Sequence, residues 1–232
     1  MDKIFEKHGI FVSPKSRQQL EQYMNLLVLR NESMNLTAVT DRGEIIVKHF
    51  LDSLMLMKFE NLAGKKLIDV GTGAGLPGLA LKIAEDQLDV TLLDSLGKRV
   101  AFLDEVILEL GLENVHTYHM RAEDGAYEPG LREDFNIAVS RAVAKLPMLC
   151  EYVLPYVKIG GLFVAYKGRE YQEELAEAEA AIEILGAKPE RAETFKLEED
   201  YTRTLIFIRK LSQTPSNYPR KSHIIAKRPI MR

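Results

Sequence analysis

The stretch from Lys66 to Ile83, KLIDVGTGAGLPGLALKI, constrains the fold more than any other part of this 232-residue chain. Leu67-Ile68-Asp69-Val70 is the short apolar run expected of a parallel strand buried on both faces. Gly71, Gly73, Gly75 and Gly78 follow within eight residues, and glycine lets a backbone approach a ligand with no Cβ in the way. Leu79 to Ala84 is apolar and predicts a helix, with Pro77 suited to its first turn. Strand, glycine turn and helix together are the form of a nucleotide-type binding site. The G-x-G-x-x-G pattern at 73–78 is weak by itself and leaves two ligands open. One is a pyrophosphate. The other is the aminoacyl end of S-adenosylmethionine. Asp69, directly ahead of the glycines and expected to point into the crevice, favours the ligand that carries positive charge.

The rest of the chain extends the alternation. A second strand, Val90 to Leu93, ends in Asp94, 23 residues after Gly71, the place from which an acid reaches ribose hydroxyls. An amphipathic helix, Lys98 to Leu110, stops at Gly111. After a third strand, Val115 to His119, come Arg121-Ala122-Glu123-Asp124, where an acid can accept from an adenine amino group. A fourth strand, Phe135 to Val139, runs into Ser140-Arg141, and Arg141 is placed to pair with a ligand carboxylate, with Asp69 or with Glu123. Helix 144–155, strand Leu162 to Tyr166, a charged helix Glu170 to Leu185 and strands Glu193 to Leu197 and Thr204 to Ile208 complete the pattern. The expected architecture is α/β, a seven-stranded mixed sheet with helices on both faces.

Residues 1–60 read as a helical N-terminal extension, 61–211 as the sheet domain and 212–232 as an extended C-terminal arm. In the extension, Ser13-Pro14 and Asp41-x-x-Glu44 are helix starts. Leu20, Tyr23, Met24 and Leu27 form an apolar stripe. His49 and Asp52, three apart on one helix, are expected to make a local hydrogen bond rather than an acid–base pair.

Charge is uneven. The net charge is −3, yet from Arg203 onward there are eight Lys/Arg and no acid, leaving 23 basic against 34 acidic residues before it. An acidic body with a basic end points to a polyanion, and Tyr218 and His223 among the cations favour RNA. The single cysteine, Cys150, excludes an internal disulfide and a cysteine-based metal site. The charged start, MDKIFEKHGIF, does not read as a signal peptide and no run of 18 apolar residues occurs. The expectation is a cytoplasmic protein with no membrane partner.

Taken together, NLTAVTD (35–41), KHFLDSL (48–54), DVGTGAGLPG (69–78), LLDSLGKRVAFL (92–103), RAED (121–124), SRAVAKL (140–146), GGLFVAYKG (160–168) and YPRK (218–221) resemble one family nearly end to end. That family is the bacterial 16S rRNA guanine-N7 methyltransferases, the glucose-inhibited division protein B family. The resemblance implies a class I, Rossmann-like fold using S-adenosyl-L-methionine on the 530 loop of 16S rRNA, free or in a small-subunit precursor. It implies that Gly71, Leu76, Ala122, Glu123 and Arg141 line the cofactor. Asp69, Gly73, Gly75 and Asp94 join them on the physical grounds above. After YPRK the family continues with glycine, proline and basic residues, whereas Ser222-His223-Ile224-Ile225 intervenes here.

Guanine N7 has an in-plane lone pair, so methylation there needs no general base and no catalytic acid or base is assigned. Arg121, Arg203, Arg220 and Lys221 are expected to hold RNA phosphates, and the chain is expected to be a monomer. A small-molecule methyltransferase, an NAD-dependent oxidoreductase and a non-enzymatic RNA-binding protein are the competing readings. The basic end speaks against the first, and the lack of any Tyr-x-x-x-Lys against the second.

Overall fold

The computed structural model describes residues 1–231. Seven strands build one sheet: β1 (Lys66–Val70), β2 (Asp89–Asp94), β3 (Val115–His119), β4 (Phe135–Arg141), β5 (Val157–Lys167), β6 (Ala187–Glu198) and β7 (Tyr201–Lys210). Their order is β3-β2-β1-β4-β5-β7-β6. The first five strands pair in parallel, and β7 runs antiparallel to β5 and β6. The mixed α/β sheet is therefore the one expected. The closing hairpin is longer than its apolar segments indicated, because β6 is an edge strand whose mostly exposed polar residues give no hydrophobic signal.

The helices are α1 (Asp2–Lys7), α2 (Pro14–Met34), α3 (Arg42–Glu44), α4 (Asp52–Leu54), α5 (Gly78–Ala84), α6 (Gly97–Leu110), α7 (Ala122–Gly125), α8 (Leu146–Val153), α9 (Gln172–Ile184) and α10 (Ser222–Lys227). Ser13 caps α2, its Oγ accepting from the Ser16 N–H at 3.0 Å. Asp41 caps α3 in the same way through the Glu44 N–H at 2.9 Å. Between α3 and α4 the backbone widens into a π-helical segment, Ile45–Leu51, a local form common at functional sites.

Alternate residues of the central strands serve two cores. Leu67, Leu92, Ile137 and Val164 pack on one face, and Ile68, Leu93, Ala138 and Phe163 on the other. Burial on both faces is why these strands read as continuous apolar runs. Phe5, Leu20, Tyr23, Leu27 and Phe50 belong to the first core, so the N-terminal helices are one layer of the sheet's own core. Each such side chain contributes about 1.5–3 kcal/mol when fully buried.

The C-terminal segment is not the extended arm that its prolines indicate. Arg132 donates to the carbonyls of Thr214 and Tyr218, each at 3.0 Å. The Tyr127 hydroxyl donates to the Pro219 carbonyl at 2.8 Å. Lys210, fully buried, donates to the Leu154 carbonyl at 2.9 Å and to Thr214. Apart from the Lys210–Thr214 bond, the partners lie 56 to 92 residues apart in sequence, which is why no local pattern reveals the fold of this segment.

Candidate functional site

The glycine turn leaves β1 where the strand order reverses between β1 and β4, the place where open α/β sheets receive ligands. A cavity of about 740 Å³ opens there, inside the range of roughly 300–1,000 Å³ typical of small-molecule sites. Gly73 lines it with φ +61°, and a Cβ built there meets nothing within 4 Å. A side chain at this position would stand in the space that the backbone leaves for a ligand.

Asp94 ends β2 at the cavity wall. Its Oδ2 accepts from the Gly73 N–H and its Oδ1 from the Leu96 N–H, both at 2.9 Å. The Arg99 guanidinium lies 3.4 Å from Oδ2. A carboxylate has about four lone-pair sites, so capacity remains for a ligand hydroxyl. Leu76, Ala122 and Glu123 also line the cavity. Glu123 is 8% exposed and has no hydrogen-bond partner among the described residues. The Tyr156 hydroxyl fixes the backbone beside it through the Ala122 carbonyl at 2.6 Å.

Two expected cofactor residues sit differently. The Asp69 carboxylate does not point into the crevice but lies fully buried beneath the turn. Its Oδ2 accepts from the Thr72 hydroxyl and the Gly78 N–H, both at 2.8 Å, tying the two ends of the turn together. Its Oδ1 is buried without a partner, and burial pushes its pKa up to about 6. Gly75 is not on the wall: a Cβ there would lie 2.8 Å from both Leu103 Cδ2 and the Tyr23 hydroxyl. The Tyr23 hydroxyl in turn donates to the Ala74 carbonyl, so α2 supports the glycine turn from below. The helical stripe shows Tyr23 as apolar filling and gives no sign of this role.

Arg141 does not pair with Asp69 or Glu123. Its guanidinium donates to Asp52 Oδ2 at 2.8 Å, while Arg203 Nε donates to Asp52 Oδ1 at 3.0 Å. The Asp52 side chain is 1% exposed. His49 does not bond Asp52 either; its Nε2 lies 2.7 Å from the Thr37 hydroxyl. Helical spacing shows only that His49 and Asp52 share a helix. The arginines that claim Asp52 come from β4 and β7, far along the chain.

Of the residues expected to hold phosphates, Arg121 stands exposed at the cavity rim, and Lys221 is exposed in the tail directly before α10. Arg220 is instead held by Glu151, a fully buried carboxylate, through Nε at 2.9 Å and a terminal nitrogen at 2.7 Å. The divergent tail segment forms α10, and its Ser222 and Ala226 close one side of the cavity. Cys150 is fully buried in α8, its thiol pKa pushed up by burial, and takes no part.

The family profile described as rRNA small subunit methyltransferase G matches residues 16–206. A protein of Lachnoclostridium phytofermentans named ribosomal RNA small subunit methyltransferase G is 49% identical over 97% of this chain and 93% of its own length. One of the same name from Geobacillus kaustophilus is 47% identical over 98% and 96%. Among solved structures, a SAM-dependent methyltransferase from Aquifex aeolicus superposes with a TM-score of 0.56 at 18% identity, over 75% of this chain and 96% of that one. The M. jannaschii protein TYW2, solved in complex with AdoMet, gives 0.56 at 15% identity over 74% and 78%. At these identities the two structures speak for the fold alone.

Proposed function

The chain belongs to the rRNA small subunit methyltransferase G family, and from that premise we propose that it methylates guanine N7 in the 530 loop of 16S rRNA with S-adenosyl-L-methionine. The observation that carries the reading is the cavity at the β1–β4 reversal, with the Gly73 backbone open to a ligand beside Asp94. The residues present fit the cofactor. Gly71 and Gly73 offer backbone without side chains to its aminoacyl end, Asp94 an acceptor to its ribose, and Glu123 an unpaired carboxylate to its adenine. When bound, it supplies an electrophilic methyl group.

The chain's own task is then placement. Guanine N7 presents an in-plane lone pair, and the bound cofactor would supply the methyl group that it accepts, so the chain's residues would only have to hold the base in line. No proton moves, so no acid or base is required. Holding two reactants in line supplies up to about 7–11 kcal/mol of barrier reduction in favourable cases. Arg121, exposed at the rim, and Lys221, exposed in the tail, are suited to meet phosphates. No helix among the described residues is long and apolar enough to cross a membrane, and on this reading the protein acts on the ribosomal small subunit in the cytoplasm.

The test is incubation of small-subunit rRNA, free and in subunits, with labelled S-adenosylmethionine, followed by mapping of the modified base. Label at guanine N7 is expected. Label in small molecules but not in RNA would replace the reading with a small-molecule methyltransferase. Tight NAD binding without any response to S-adenosylmethionine would replace it with an oxidoreductase.

A further inference from the structure

The cofactor features of the cavity come from β1, β2 and the start of α7. A second wall has another origin. β7 runs antiparallel on the far side of β4 and β5, so its first residues return to the edge where the parallel strands end. There Tyr201 and Arg203 line the cavity together with Thr37, Val39 and His49 from the N-terminal layer. None of these residues is needed to hold the cofactor.

This wall is built around Asp52. Each of its oxygens takes one arginine, Arg141 at 2.8 Å and Arg203 at 3.0 Å. A carboxylate buried between two cations costs desolvation that packed apolar side chains would avoid, so stability alone does not account for it. The bond to Arg203 uses Nε, leaving its terminal nitrogens free of protein partners among the described residues. The Arg203 guanidinium carbon lies 5.8 Å from the centroid of the half-buried Tyr201 ring. His49 adds no competing cation, because burial, then the charge of Arg141, lowers its pKa to about 4.

We propose that this wall is the subsite of the acceptor base, with Tyr201 as its stacking face, Arg203 as donor to its exocyclic oxygen, and Asp52 as the positioning residue that fixes Arg203 relative to Arg141. The proposal rests on the rRNA-guanine reading above and adds where the base sits. An enzyme acting on a base must hold it outside its stack, and aromatic side chains are the usual platform. A free arginine grips guanine through O6 and N7 together, which would block the nitrogen to be methylated. An arginine anchored through Nε to Asp52 meets O6 with its remaining donors and leaves N7 exposed.

The experiment is single-turnover methylation of a small-subunit rRNA transcript, with calorimetry of S-adenosylmethionine binding run in parallel. Tyr201→Ala is expected to slow methyl transfer ~10- to 100-fold, the size of one lost base-stacking contact. Tyr201→Phe, which keeps the ring, restores most of that rate. Arg203→Lys keeps the charge but loses the anchored fork, so it slows transfer at least ~10-fold without changing the salt dependence of RNA binding. Cofactor affinity stays within about twofold in all three. Unchanged rates in an active background overturn the subsite alone, as does cofactor affinity that falls in step with the rate. A wild-type protein that labels no RNA overturns the underlying reading, and the subsite with it. Should Tyr201→Ala fail to fold, Arg203→Lys and Tyr201→Phe decide between these outcomes.

Discussion

At the scale of the residue, two glycines of one turn do different work. Gly73 faces the cavity at φ +61°, whereas Gly75 faces Leu103 and Tyr23. Gly73→Ala is therefore expected to weaken S-adenosylmethionine at least ~10-fold, with a strain cost of about 1–2 kcal/mol. Gly75→Ala is expected to cost about 1–3 kcal/mol of stability through overpacking, and calorimetry beside urea unfolding separates the two. His49 and Asp69 make a second residue-level pair. His49 titrates at about 4 when folded against 6.5 ordinarily. The unfolded chain binds its proton first, so its contribution to stability falls as pH drops through that window. Asp69 titrates at about 6 against 3.8, because burial outweighs its hydrogen bonds from Gly78 and Thr72. It takes up a proton while the unfolded carboxyl is still ionised, so it adds stability as pH falls from about 6 toward 3.8. The free energy of unfolding is expected to fall more steeply from about pH 7 to about pH 4.5 in Asp69→Asn and less steeply in His49→Asn. Equal slopes in both variants would refute the assignment.

At the scale of the element, the C-terminal segment is held by its few polar anchors. Glu151 is fully buried and accepts from the Arg220 backbone N–H and side chain alike. Removing the guanidinium leaves the buried carboxylate with the backbone N–H but no counter-charge, a cost of up to about 3–5 kcal/mol. That energy is released most cheaply by letting α10 detach. Arg220→Ala is expected to lose hydrogen-exchange protection in residues 212–231 while β1, β2 and β4 keep theirs, and to open the side of the cavity closed by Ser222 and Ala226. Uniform loss of protection across the sheet would show that the segment is instead integral to the core.

At the scale of the whole molecule, the charge split in the sequence overstates the free positive charge. Arg203, Arg209, Lys210 and Arg220 pair with Asp52, Glu190, Glu133 and Glu151. Among the described residues of the basic end, Lys221, Lys227 and Arg228 have side chains without an ion pair. For rRNA binding, each of these three changed to Ala is expected to reduce the log–log salt slope by about 0.7. Arg220→Lys, whose charge is already spent on Glu151, leaves that slope unchanged. A slope reduced by about 0.7 in Arg220→Lys would mean that the Arg220 guanidinium itself meets phosphate.

The sequence by itself determined the strand, glycine turn and helix, the acid ending β2 and the order of alternating elements, because these follow from local periodicity and backbone sterics. Apolar runs in β1, β2 and β4 announce burial on both faces, and four crowded glycines announce a turn that side chains cannot enter. Only the tertiary structure decided where the polar side chains turn. Asp69 lies under the turn rather than in the crevice, Asp52 joins arginines from β4 and β7, Tyr23 supports the glycine turn and the C-terminal segment folds back onto Glu151. Each of these rests on a partner tens of residues or more away along the chain, or on a buried polar group that must find any available donor, and neither leaves a pattern in the sequence around it.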